Sequence, residues 1–372
     1  MSTTETPTAG PTRVSTLELF FDLVFVFTIT QLTSVLEQHP SLRGLARVAL
    51  TLGVIWWMYG GYAWLTNAVP ADRPSRRFLL LGGMASYFVA ALALAHAFAG
   101  SGTAFGLAYA AVVIVHAALF TRATSRSAVS NILRIAPFNL AGAGLVLAGG
   151  VVGGAAQYAL WAAAVLLLWL SPKLVSNSGF AVGPEHFVER HGLVVLIAIG
   201  ESVVAVGAGA HALPVDLSLV VVAVLGLALA ACLWWTYFGG DDERAEHALR
   251  DAAAGQRQRL ALEAFGYCHL AILLGIVAVA AAMHEATAHP FDDLRAALAI
   301  TLAGGVAIYL VGDVLFRATL RIGRSRQRLA CAVAVMATVP LGTAVSAVAQ
   351  IAGIVLLLGA CFALEAELLH GQ

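Results

Sequence analysis

Twelve apolar runs, separated by short connections bearing Gly, Pro or charge, fill the chain from residue 17 to residue 367. They fall at 17–37, 44–66, 77–99, 103–121, 129–151, 156–171, 190–211, 216–238, 260–284, 294–317, 327–341 and 345–367. About 20 apolar residues at 1.5 Å each cross the ~30 Å hydrocarbon layer of a bilayer. Backbone at that depth satisfies its polar groups only as a helix or a closed barrel. These runs also lack the polar face of a surface helix in a soluble protein. With 60% of the 372 residues hydrophobic and 11% charged, little chain remains for a soluble domain. The expected fold class is all-α integral membrane with about 12 transmembrane helices.

The distribution of charge orients them. Of the 21 Lys and Arg residues, 18 lie on one set of alternate connections: Arg13; Arg73, Arg76, Arg77; Arg122, Arg126, Arg134; Lys173, Arg190; Arg244, Arg250, Arg257, Arg259; Arg317, Arg321, Arg324, Arg326 and Arg328. Only Arg43, Arg47 and Arg295 lie on the other. The positive-inside bias then predicts a multi-pass protein of the bacterial inner membrane with both termini cytoplasmic. Residues 1–14, rich in Thr and Pro, are expected to form a disordered cytoplasmic tail. A formal net charge of zero gives no electrostatic case for nucleic acid, so the expected partners are the lipid bilayer and a small or lipidic substrate. Cys232, Cys268, Cys331 and Cys361 sit singly in apolar runs and read as packing residues.

Matching segments recur in the same order in the two halves. Trp56-Trp57-Met58-Tyr59-Gly60-Gly61 and Trp234-Trp235-Thr236-Tyr237-Phe238-Gly239 share a WWxYxG pattern, and Leu119-Phe120-Thr121-Arg122 is echoed by Leu315-Phe316-Arg317. Val-Leu-Leu-Leu occurs at 165–168 and at 355–358. The expected organisation is two parallel-oriented six-helix repeats, 15–175 and 176–372, with a site between them.

Ionisable groups at membrane depth are costly and mark function. Glu18 and Asp22, at i and i+4 in the first run, place two carboxylates on one helical face, where repulsion is relieved only by protonation or by an intervening cation. The alternative is that they cap the helix start. His186 and Glu189 share a face at the opening of the seventh run, where Glu189 stands much as Glu18 does in the first. Glu201 lies about three turns further in and needs neutralisation or a partner. His96, His116, Glu263, His269, Asp313 and Glu365 are scattered acids and imidazoles without a shared pattern.

The segment Glu18–Phe27 (ELFFDLVFVF), with His186–Arg190 (HFVER) and Ile199–Val204 (IGESVV), resembles the bacterial low temperature requirement A family over nearly the whole chain. His191 departs from that likeness, standing where an apolar or aromatic residue is expected. The resemblance implies a membrane protein connected with growth in the cold, a stress response, and brings no biochemical activity with it.

Two working functions follow. The first is transporter-like movement of a small solute with proton coupling, with Glu18, Asp22, His186, Glu189 and Glu201 titrating and Trp56, Tyr59, Trp234 and Tyr237 lining the solute site. The second is an intramembrane enzyme acting on a lipidic or prenyl diphosphate substrate. There Glu18, Asp22 and Glu189 would hold Mg2+, Arg122 and Arg126 would grip phosphate, and the Trp and Tyr rings would wall the pocket. A third, non-catalytic reading has the charges only holding helices together.

Overall fold

The computed structural model describes residues 14–68, 73–122, 126–175, 182–211, 213–323 and 325–370. The Thr- and Pro-rich residues 1–13 lie outside the described residues. In the first half the helices are α1 Thr16–Gln38, α2 Leu42–Ala68, α3 Pro74–Leu94, α4 Gly102–Phe120, α5 Arg126–Val152 and α6 Gly154–Leu174. The second half holds α7 Pro184–Gly209, α8 Leu217–Phe238, α9 Asp241–Asp251, α10 Ala254–Ala261, α11 His269–Ala288, α12 Ala296–Leu320, α13 Arg326–Met336, α14 Val339–Ala344 and α15 Ala347–His370. Twelve stretches among the described residues are long and apolar enough to cross a membrane. The protein is an all-helical, multi-pass membrane protein.

Local chemistry sets the boundaries. Ser15 caps α1, its Oγ accepting from the Glu18 N–H at 3.3 Å while Glu18 Oε2 accepts from the Ser15 N–H at 2.8 Å. This reciprocal box fixes the helix start. Pro74 and Pro184 open α3 and α7, where a missing N–H costs nothing. Consecutive positive φ values at Gly153 and Gly154, 69° and 59°, make the tight turn between α5 and α6.

Three departures from the apolar pattern have physical causes. The helix α9 is too polar to show as an apolar run; it carries Asp241, Asp242 and Glu243 at its start and Arg250 at its end, in keeping with its dipole. The eleventh span is broken into α13 and α14 around Thr338, because Pro340 cannot donate to the preceding turn. The ninth span starts at Ala254 and passes through a π-helical segment, Leu262–Cys268, before α11.

Packing order is similar in the two halves. In the first, α1 lies against α2 and α3, then α3, α4, α5 and α6 follow as neighbours, and α6 returns to α2. In the second, α7 lies against α8 and α11, then α11, α12, α13 and α15 follow, and α15 returns to α8. The halves meet where α1 and α2 pack on α7 and α11. At the α11–α12 crossing, a Cβ on Gly275 would lie 2.6 Å from the Gly305 carbonyl oxygen, so glycine lets the two backbones touch.

Candidate functional site

The meeting of α1, α2 and α7, near the starts of α1 and α7, buries an ion cluster. Glu18 Oε1 lies 3.0 Å from His186 Nε2 and 3.2 Å from Arg190 Nη1, while Arg190 Nη2 lies 3.5 Å from Asp22 Oδ1. The Tyr59 hydroxyl donates to Asp22 Oδ1 at 2.7 Å, and Arg190 Nη1 donates to Thr66 Oγ1. Thus the two carboxylates share a face, as their spacing requires, and the relieving cation is Arg190. Glu18 performs both tasks weighed for it, Oε2 closing the cap and Oε1 facing the cation.

Arg190 is 1% exposed, and its guanidinium sits 5.6 Å and 5.5 Å from the ring centroids of Phe21 and Tyr59. Two carboxylates thus face one guanidinium, with the His186 imidazole beside Glu18. Asp22 Oδ2, Arg190 Nε and His186 Nδ1 have no hydrogen-bond partner. A second buried network differs in its balance. Asp241, Asp313 and Glu365 meet Arg328 at 2.9, 2.7 and 3.0 Å, Arg317 joins Glu365 at 2.9 Å, and Arg244 joins Asp241 at 2.6 Å. Three acids and three arginines cancel there, as suits a staple joining α9, α12, α13 and α15.

Glu189 is not part of the first cluster. It is exposed, one residue from Arg190 and therefore about 100° around α7, and lines a groove of about 280 Å³ with Glu185, Asp242, Glu243 and Glu246. Among the described residues no three His, Cys, Asp or Glu side chains are grouped to hold a metal ion. The Mg2+ set Glu18, Asp22 and Glu189 therefore does not fit: two members are committed to Arg190, and Glu189 Oε2 instead accepts from the Val14 N–H at 3.4 Å, just before α1.

Behind the cluster lies a layer of rings. Trp56 stacks on Tyr59 at 4.9 Å and 7°, and His191 meets both edge-on at 5.9 and 6.3 Å. The aromatic character expected at position 191 is thus met by an imidazole among rings. The Trp56 indole N–H donates to the Gly266 carbonyl at 2.8 Å, within the π segment. On its far side Trp56 borders a cavity of about 270 Å³ between α2, α4, α5, α6 and α10.

Of the expected substrate residues, Trp56 lines this cavity and Tyr59 lies behind it, buried against Asp22. Trp234 is exposed on the outside of α8, away from both, which corrects its expected place in a pocket wall. Tyr237 is buried, its hydroxyl 2.9 Å from His269 Nε2. Arg122 is exposed at the end of α4, where its carbonyl accepts from Arg76 Nη2 at 3.0 Å, and does not line the cavity. The side chain of Arg126 lies outside the described residues.

Glu201 is buried about two-thirds of the way along α7, where Oε2 accepts from Thr30 Oγ1 of α1 at 2.8 Å. Further along α1, Glu37 Oε1 lies 2.9 Å from His284 Nδ1 of α11. Glu18, Asp22, Thr30, Thr33 and Glu37 occupy roughly a third of the circumference of α1 at about 100° per residue. The 19 residues from Glu18 to Glu37 rise about 28 Å, close to the thickness of the hydrocarbon layer. Thr33 Oγ1 and Ser202 Oγ are buried without a partner beside this stripe.

One member of the site, Gly266, has no counterpart among the sequence-level expectations, and two are sharpened by the structure. Pairing of the acids with Arg190 is one of the readings open from the sequence, and the i, i+4 spacing of Arg190 from His186 matches that of the acids of α1. Gly266 carries no signal, since a π segment leaves no compositional mark. His116 sits in the cavity wall at 3% exposure with neither ring nitrogen in a hydrogen bond of ordinary geometry.

A protein-family model described as bacterial low temperature requirement A protein matches residues 13–363. The chain is also similar to an uncharacterised protein of Rhizobium meliloti (strain 1021), 28% identical over 315 residues that cover 82% of this chain and 76% of the relative. The family match takes in α1, α7, the ion cluster and the cavity together, so the chain belongs to the bacterial low temperature requirement A family.

Proposed function

We propose that the protein is a proton-coupled transporter of a small solute in the bacterial inner membrane, with both termini cytoplasmic. The observation that carries this reading is Glu201: a carboxylate inside a span, about two-thirds of the way along it, whose hydrogen-bond partner is the hydroxyl of Thr30. An uncompensated charge is expensive at that depth, so the group exchanges a proton or a counter-cation during its working cycle. The polar stripe of α1 supports the same view, running from the cluster past Glu201 to Glu37 and His284. The solute site is the ring-walled cavity, whose wall, Trp56 and His191, is also the back of the cluster. The similar neighbour order in the two halves supports two six-helix units, 15–175 and 176–372, that move against each other about the α1–α7 contact. The titrating roles go to Glu201, Glu18, Asp22 and His186.

Proteoliposomes loaded with a pH dye and challenged with a panel of small organic acids, amines and neutral aromatic solutes test it. Wild-type protein moves protons with at least one of them, and Glu201→Gln loses at least tenfold of that flux. A silent panel, or equal flux in the variant, overturns the proposal.

One observation favours a second reading: the cavity is walled by rings and Glu201 does not border it. A pocket entered from one side suits an intramembrane enzyme acting on a lipidic substrate. Turnover of a prenyl diphosphate by the purified protein would establish that reading in place of transport. The acids of α1 do not provide its metal site.

A further inference from the structure

We propose that the ring-walled cavity binds a small anionic amphiphile, with its acid head at Arg259 and its flat apolar body among Trp56, Trp57, Trp169 and Tyr267. This deepens the reading of that cavity as the solute site and rests on it. Three observations fix the class of ligand.

The polar atoms of the ring walls are already engaged. The Trp56 N–H is engaged by the Gly266 carbonyl at 2.8 Å, that of Trp57 by Asn139 Oδ1 at 2.9 Å, and that of Trp169 by the Gly53 carbonyl at 3.0 Å. The Tyr267 hydroxyl donates to the Trp169 carbonyl at 2.8 Å. With their polar atoms occupied, these side chains offer apolar, polarisable surface to a flat guest.

The charge of the lining has one sign. Among the described residues Arg259 is its one charged side chain, and no described Asp or Glu borders the space. Arg259 stands at the mouth, with its side chain 67% exposed and Nε in loose contact with Glu263 at 3.8 Å. A cationic guest would find ring faces, worth about 0.5–2 kcal/mol, but no counter-charge. An acid finds a guanidinium that recognises carboxylate or phosphate through two parallel hydrogen bonds.

One polar group inside is left over. His116 is buried in the wall beside the Gly61 backbone, and among the described residues neither ring nitrogen makes a hydrogen bond of ordinary geometry, whereas buried polar groups are normally paired. It serves a hydrogen-bonding group on the guest. At about 270 Å³ the space holds roughly nine groups of water size at ~30 Å³ each, so the guest has on the order of ten non-hydrogen atoms inside.

Isothermal titration of the purified full-length protein in zwitterionic lipid nanodiscs with 2-naphthoate, 2-naphthol and 2-naphthylmethylammonium tests the class. The naphthoate is expected to bind at least tenfold more tightly than the ammonium. Arg259→Gln, at an exposed position where folding is not at stake, is expected to bring naphthoate to the affinity of naphthol and leave naphthol unchanged. His116→Leu is expected to weaken naphthoate and naphthol alike by threefold or more. Repeating the titration in nanodiscs containing phosphatidylglycerol separates the sources of the acid: competition marks a lipid head, and its absence marks a free acid. Ammonium binding as tight as naphthoate, unchanged naphthoate affinity in Arg259→Gln, or no binding of any probe overturns the proposal. Naphthoate binding without proton flux removes transport and leaves this site. Proton flux driven by a cation that binds without naphthoate competition does the reverse.

Discussion

Arg190 makes two buried carboxylates compatible, so the cluster stands or falls with it. Removing one partner of a buried ion pair leaves an uncompensated charge and costs about 3–5 kcal/mol. Arg190→Met is therefore expected to lower the melting temperature of the detergent-solubilised protein sharply. Arg190→Lys falls between, because an ammonium keeps the charge without the planar fork that reaches Glu18, Asp22 and Thr66 at once. Neutralising the acids as well, with Glu18→Gln and Asp22→Asn beside Arg190→Met, recovers most of the loss; a single Arg190→Met variant that melts like wild type would sink this account. At this scale the sequence is partly readable. The i, i+4 carboxylates and Glu201 announce themselves as costly groups in an apolar run. The choice of Arg190 over its many basic neighbours does not, because it depends on how α7 is rotated against α1, and that rotation is set by packing from several helices.

Elements were more legible than sites, since each span must satisfy its own backbone and so leaves an apolar run of fixed length. What the pattern hides is anything that keeps the composition and changes the geometry: the π segment at Leu262–Cys268, the break at Pro340 and the polar α9. Helix contacts are hidden too, and the glycines of α12 show why. Gly304 and Gly305 are adjacent in sequence, yet a Cβ on Gly305 would lie 2.8 Å from the Val279 nitrogen and 2.9 Å from the Gly275 oxygen, whereas one on Gly304 meets nothing within 4 Å. Backbone atoms cannot swing aside, so Gly305→Ala pushes α11 and α12 apart and is expected to cost about 1–3 kcal/mol. Gly304→Ala is expected to be neutral, or stabilising by up to ~1 kcal/mol through helix propensity. Melting curves of the two variants in one detergent decide it. Equal stabilities would mean that the α11–α12 crossing does not rest on the close approach.

Across the whole molecule, charge is sorted in two ways with different consequences. Inside, the network of Asp241, Asp313 and Glu365 sets three acids against three arginines, while in the cluster Glu18 and Asp22 face the one guanidinium of Arg190 with the His186 imidazole beside Glu18. At the ends, basic residues crowd one set of connections, 18 against 3. Translocating arginine across the bilayer is what membrane insertion avoids, so the crowded end is expected in the cytoplasm. Ser75, at the start of α3, and Ser41, just before α2, are both exposed and lie at opposite ends of the bundle. In a background with Cys232, Cys268, Cys331 and Cys361 replaced by Ala, Ser41→Cys is expected to react with a membrane-impermeant maleimide added to intact spheroplasts. Ser75→Cys is expected to react only after the membrane is opened. The reverse pattern would turn the protein over and place the mouth of the cavity, with Arg259, outside the cell.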